Sequence, residues 1–145
     1  MTKNEGYGFT TADYPLAEKR PEIVKGARGK TLDEITLEHV VAGDIVMEDL
    51  RITPEALLAQ GEIARAAGRP TLAANFERAA EMVKVPQKLI MEVYELLRPG
   101  RAKDKGALMA AARRLRQEFG AERLAGFLEE AAEVYERRGL FRFRF

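Results

Sequence analysis

The chain has no cysteine, no serine and no tryptophan, and its one histidine is His39. Without cysteine there is no disulfide framework, no thiolate metal site and no cysteine nucleophile, a composition at ease in a reducing cytosol. Without serine there is no Ser-His-Asp triad. One histidine cannot build a His₃ or His₂Glu zinc site. A helical di-iron site needs paired Glu-x-x-His motifs, and Thr36 stands three residues before His39. His39 is therefore read as a surface or interface side chain. No apolar run approaches the ~20 residues of a membrane span, and Met1 to Thr11 is polar, with no apolar core of a secretory signal. No Walker sequence and no Gly-x-Gly-x-x-Gly occur, and Gly6-Tyr7-Gly8 is too short and opens no helix.

What is present fits an ordinary globular protein. The 145 residues are 46% hydrophobic and 32% charged, enough for one domain with a core and an arm. The net charge of +1 hides a gradient. Residues 1–50 carry six basic and ten acidic side chains, 51–100 seven and six, and 101–145 eleven and seven. Such a field helps orient a partner, although an uneven solvated surface explains it as well.

Residues 1–30 read as an irregular arm. Pro15, Pro21 and four glycines interrupt every period, yet Tyr7, Phe9, Tyr14, Leu16, Ile23 and Val24 are too apolar for a solvated tail. The arm is expected to lie along its own helical body or along another subunit. Residues 31–139 read as a helical domain. Thr31 and Glu34 have capping-box spacing. Thr36 starts a short piece ended by Gly43, and Asp44 is expected to cap Ile45 to Leu50, with Glu48 and Asp49 on the polar side. Five main helices follow. Thr53-Pro54 opens the first and Gly68 closes it; Pro70 opens the second; Pro86 opens the third, which stops at Pro99-Gly100. The fourth runs from about Asp104 to Phe119. The fifth runs from about Ala121 to Arg138, with Leu124, Phe127, Leu128, Ala131, Val134 and Tyr135 inward. The expected class is all-α, a compact bundle-like body with an irregular N-terminal arm. Residues 140–145 form a tail, Leu-Phe-Arg-Phe-Arg-Phe, whose period of two suits a short strand or an extended segment docked at an interface.

The carboxylates do not suggest acid–base chemistry. Glu129, Glu130, Glu133 and Glu136 fall on the outer side of the last helix, where Glu133 is spaced to pair with Arg137. Arg113, Arg114 and Arg116, with Arg101, Lys103 and Lys105, are the best nucleic-acid cue, but Glu118 and Glu122 interrupt them and no recognition-helix signature follows.

Several stretches resemble the small (gamma) subunit of adenosylcobalamin-dependent diol and glycerol dehydratases. They run in order: Asp13-Tyr14-Pro15-Leu16-Ala17-Glu18-Lys19, Gly29-Lys30-Thr31-Leu32-Asp33-Glu34, Arg51-Ile52-Thr53-Pro54-Glu55, Ala67-Gly68-Arg69, Asn75-Phe76-Glu77-Arg78-Ala79-Ala80-Glu81, Leu97-Arg98-Pro99 and Glu130-Ala131-Ala132. Each piece is weak alone; their order and spacing over residues 13–138 are specific. The phenylalanine–arginine tail lies outside the resemblance.

The resemblance implies a lyase whose chemistry is elsewhere: radical dehydration of propane-1,2-diol or glycerol to an aldehyde. A large barrel subunit holds the substrate, a medium subunit helps enclose the cobalamin, and two copies of each chain assemble. This chain would carry no catalytic, cofactor-binding or metal residue, and would brace the large subunit. The residues expected at the interface are Tyr14, Pro15 and Leu16, as a clamp, with Arg51, Arg69, Arg78 and Arg98 as forked donors. Phe76 is expected in the core. The implied location is the cytoplasm, with enclosure in a bacterial microcompartment left open. No nucleic acid and no membrane is expected as partner. The competing reading is a stand-alone helical adaptor that binds protein or nucleic acid.

Overall fold

A computed structural model describes residues 8–141 of the chain. The fold is all-α. The α-helices are α1 (Leu16–Lys19), α2 (Leu37–Ala42), α3 (Pro54–Ala66), α4 (Pro70–Met82), α5 (Gln87–Leu97), α6 (Lys105–Phe119) and α7 (Glu122–Arg138). Three 3-10 turns accompany them, Thr11–Asp13, Leu32–Glu34 and Met47–Leu50. The five main helices of the sequence reading are α3 to α7. Among the described residues the one β feature is an isolated antiparallel bridge between Lys25 and Thr31. No helix there is long and apolar enough to cross a membrane. Most of the expected phenylalanine–arginine tail, from Arg142 onward, lies outside the described residues, as does Tyr7 of the arm.

Local chemistry sets the helix ends. Thr53 Oγ1 accepts from the Ala56 amide at 3.3 Å, and Pro54 occupies the first helical position, where its missing N–H costs nothing. Asp104 Oδ1 accepts from the Ala107 amide at 3.0 Å and starts α6. Gly120 and Gly139 end α6 and α7 with φ of 62° and 66°, left-handed values that strain any residue with a side chain. Asp44 does not cap the segment after it. Its amide instead closes α2 on the His39 carbonyl, and the following turn begins only at Met47.

The chain divides into two compact units, Met1–Ala80 and Glu81–Phe145. In the first, the arm packs on its own helix: Phe9 and Leu16 are buried against Ala59 and Ile63 of α3. The Phe9 amide donates to Glu62 Oε2 at 3.0 Å, and the Arg20 guanidinium lies 5.1 Å from the centre of the Phe9 ring.

The second unit is built on the α6–α7 hairpin. Ala112 and Leu115 of α6 meet Ala125 and Leu128 of α7, with Leu89 and Val93 of α5 laid across them. Ala112, Ala125 and Ala132 are fully buried, and such small side chains let two helices approach closely. Phe127, expected inward, is 41% exposed; the buried stripe of α7 runs through Leu124, Ala125, Leu128 and Ala132. At the start of α7 both Glu81 oxygens accept from helix amides, Arg123 at 3.0 Å and Leu124 at 2.8 Å. Arg116 forks onto Glu129 at 2.6 and 3.0 Å and reaches Glu122 at 2.8 Å. These carboxylates raise the Arg116 pKa, and Arg116 holds that of Glu129 below its ordinary value. Glu133 pairs with Lys105 at 2.7 Å, so the i,i+4 pair expected with Arg137 does not form.

Candidate docking groove

The site lies wholly within the first unit and begins with a tight loop. The Gly26 amide donates to the Lys30 carbonyl at 3.0 Å and the Gly29 amide to the Gly26 carbonyl at 2.9 Å, which closes residues 25–31 into a hairpin-like turn. That turn is clamped onto the segment before α3. A methyl group at Gly26 would stand 1.9 Å from the Asp49 carbonyl oxygen, so only glycine allows this approach. Arg28 Nη1 reaches Asp49 Oδ2 at 3.1 Å, and the Val46 amide donates to the same oxygen at 2.9 Å.

Asp49 is 1% exposed, although the sequence reading placed it on a polar side. The ion pair and the amide compensate for much of its desolvation, while Oδ1 has no hydrogen-bond partner. The far end of the turn is fixed by Glu34, which accepts from the Thr31 amide at 2.8 Å and from Lys30 Nζ at 3.2 Å. The Thr31 amide, and then Lys30, hold the Glu34 pKa down from 4.5 to about 2.

Between the arm, this turn, residues 49–52 and the helices α3 and α4 runs a groove of about 960 Å³. Its walls are mainly aliphatic. Leu32, Leu50, Ile52 and Leu72 line it and remain substantially open to solvent, and Tyr14, at its edge, is 70% exposed. Phe76, expected in the core, is only half-buried and forms part of the wall. The short helix α2 buries none of its residues: Leu37, Val40 and Val41 are all exposed.

Five of the seven residues expected at an interface line this groove: Tyr14, Pro15, Leu16, Arg51 and Arg69. They do so in different ways. Leu16 is buried in its own unit and anchors the arm, leaving Tyr14 outward. Arg51 has one exposed ion pair, to Glu48 at 3.2 Å. Arg69 has no ion pair or side-chain hydrogen bond among the described residues, although its backbone amide continues the helix end by bonding the Ala64 carbonyl at 2.9 Å. The other two residues lie elsewhere. Arg78 is half-buried on α4 and donates to Asn75 Oδ1. Arg98 belongs to the second unit and bonds Glu95 at 2.9 Å.

Sequence reasoning missed Leu50, Ile52 and Leu72 as groove residues. The usable signal was Leu50-Arg51-Ile52, two aliphatic residues bracketing an arginine just outside a helix start, where no helical stripe accounts for them. His39 Nδ1 stands 2.7 Å from the Glu34 carbonyl oxygen, and no group of three His, Cys, Asp or Glu among the described residues is placed to hold a metal ion. The basic cluster on α6 is largely engaged: Arg114 meets Glu118 at 3.0 Å, and Arg116 is held as described above.

Fold and site define a small all-α protein that displays an apolar, cation-edged groove. The chain belongs to the dehydratase small-subunit family, whose description it matches over residues 9–142. It is 52% identical over 126 residues to the propanediol dehydratase small subunit of Citrobacter freundii, a match covering 87% of this chain and 73% of that protein. It is 50% identical over 127 residues to the propanediol dehydratase small subunit of Salmonella typhimurium (strain LT2), covering 88% of this chain and 73% of the relative.

Proposed function

We propose that this chain is the small subunit of an adenosylcobalamin-dependent diol dehydratase, a hydro-lyase that converts propane-1,2-diol or glycerol to an aldehyde and water. Its part is to brace the large catalytic subunit. Both relatives are named as propanediol dehydratase small subunits. The observation that carries the bracing role is the groove, where exposed aliphatic side chains line up with Tyr14, Arg51 and Arg69 on one surface. Open apolar surface of this kind is unfavourable on a protein that works alone and suits one covered by a neighbour.

The partners are the large barrel subunit and the medium subunit, two copies of each chain, in the cytoplasm. The proposed contact set is Tyr14, Pro15, Leu16, Arg51, Arg69, Arg78 and Arg98, with Leu16 acting from beneath by fixing the arm. Adenosylcobalamin, bound in the holoenzyme, supplies the radical chemistry. The His39 imidazole faces a backbone carbonyl, and no group of three His, Cys, Asp or Glu among the described residues is placed to hold a metal ion. In this reading the cofactor is held mainly by the other subunits. A free-standing nucleic-acid adaptor is not favoured, because Arg114 and Arg116 are tied to carboxylates.

The test is co-expression with the neighbouring large and medium chains, followed by a cobalamin-dependent aldehyde assay with and without this chain. The reading expects a ternary complex that loses activity or solubility when this chain is omitted. Full activity and stability of the other two chains alone would sink it.

A further inference from the structure

We infer that the groove of the first unit seats an apolar segment of the large subunit that carries carboxylate side chains. The inference rests on the small-subunit reading and adds the chemistry of the partner. Four charged residues line the groove: Lys25, Arg51, Arg69 and Asp49. The one acid is buried and already engaged by Arg28 and the Val46 amide, so it offers no counter-charge to a ligand. Of the three cations, Arg51 has a single exposed partner, while Lys25 and Arg69 have no ion pair among the described residues.

The surface is thus aliphatic in its walls and positive at its edge. Covering it with an apolar segment of neutral or basic character would desolvate Lys25 and Arg69 without compensation, a cost of the kind that excludes wrong partners. A segment whose aliphatic side chains meet Leu50, Ile52 and Leu72, and whose carboxylates reach Lys25 and Arg69, satisfies both parts of the surface. Bringing such charges together beside apolar walls strengthens their attraction relative to open water.

The experiment uses the assembled holoenzyme. Lys25→Glu/Arg69→Glu is compared with wild type and with Lys88→Glu/Arg101→Glu, a matched double reversal on exposed residues of the second unit. Each is co-expressed with an affinity-tagged large subunit and the medium subunit, and the dissociation constant of the small subunit is measured. In parallel, wild-type complex is treated with a carbodiimide, which joins lysine to carboxylate in direct contact. The expected results are at least tenfold weaker binding for the groove double variant, less than twofold change for the control, and a cross-link from Lys25 to an aspartate or glutamate of the large subunit. Equal binding of the two double variants, or a Lys25 cross-link to a second copy of this chain, overturns the inference while leaving the small-subunit reading intact. Failure of the wild-type chain to associate with the large subunit overturns that reading itself. The wild-type cross-link reports the contact even if a double variant folds poorly.

Discussion

Gly26 lies directly against the main-chain carbonyl of Asp49, leaving no room for a Cβ at that position. Lys25 and Gly26 thereby line the groove, and Arg28 of the same turn pairs with the Asp49 carboxylate. The first prediction tests this contact. In Gly26→Ala the added methyl meets backbone, which cannot rotate away, so the chain should lose about 1–3 kcal/mol of stability. Gly126→Ala is the counter-case. Gly126 is in the middle of α7, and a methyl there meets nothing within 4 Å. That substitution should stabilise the chain by about 0.5–1 kcal/mol. Thermal melts of both variants check the pair; opposite signs are expected.

A second prediction concerns the buried acid. Asp49→Ala leaves the Val46 amide without its acceptor and removes the partner of Arg28. Arg28 is about half exposed and returns to water, so the cost is set mainly by the lost acceptor, about 1–3 kcal/mol. Asp49→Asn keeps an oxygen for Val46 and should cost less, whereas Arg28→Ala leaves the buried carboxylate without its cation and should cost at least as much as Asp49→Ala. Denaturant unfolding should therefore rank Asp49→Asn as the least damaging of the three.

The legibility of the fold follows from the range of the interactions involved. Thr53-Pro54, Gly120 and Gly139 act on their own helix within a few residues, so these helix ends can be read from the chain. Asp49 could not be read in this way. Its neighbours in sequence place it with Glu48 on a polar side, and its burial depends on Arg28, 21 positions earlier, and on the close approach of Gly26. The division after Ala80 leaves no mark either, because α4 runs through it to Met82 without glycine or proline. Phe127 shows the same limit on α7. A helical period admits it to the inner face, but close packing against α6 selects Ala125 and Ala132 instead. That five of the seven residues expected at an interface line one groove required the fold.

A third prediction is a pH dependence. The Glu34 pKa is lowered in the folded chain to about 2 from its ordinary value of 4.5. A depressed carboxyl stabilises the fold above its unfolded pKa, and that contribution is lost as pH falls through the folded one. The difference in stability between wild type and Glu34→Gln should therefore be constant at neutral pH and shrink between about pH 4.5 and 2. Carboxyl NMR titration of Glu34 checks the same shift directly; a midpoint near 4.5 would contradict it.

A fourth prediction concerns α7. Both oxygens of Glu81 accept from the Arg123 and Leu124 amides, groups that have no partner within the helix itself. Glu81→Ala should cost about 0.5–2 kcal/mol, the usual range for loss of an N-terminal cap. Hydrogen exchange localises the effect: the Arg123 and Leu124 amides should lose protection first.

Tyr14 and Leu16 separate docking from folding. The two residues flank Pro15 on the arm but meet different surroundings: Tyr14 is 70% exposed at the groove edge, and Leu16 is 8% exposed against α3. Tyr14→Ala removes little that the isolated chain uses, so its melting point should shift by no more than about 0.5 kcal/mol of stability allows. Leu16→Ala opens a cavity under the arm and should cost about 2–5 kcal/mol. If the arm clamps the large subunit, Tyr14→Ala should reduce recovery of this chain with that subunit while leaving the melt of the free chain in place. Leu16→Ala should lower both together, because an arm that no longer rests on Ala59 and Ile63 cannot present Tyr14. Equal recovery of wild type and Tyr14→Ala would remove Tyr14 from the contact and leave Arg51 and Arg69 to account for the groove's role.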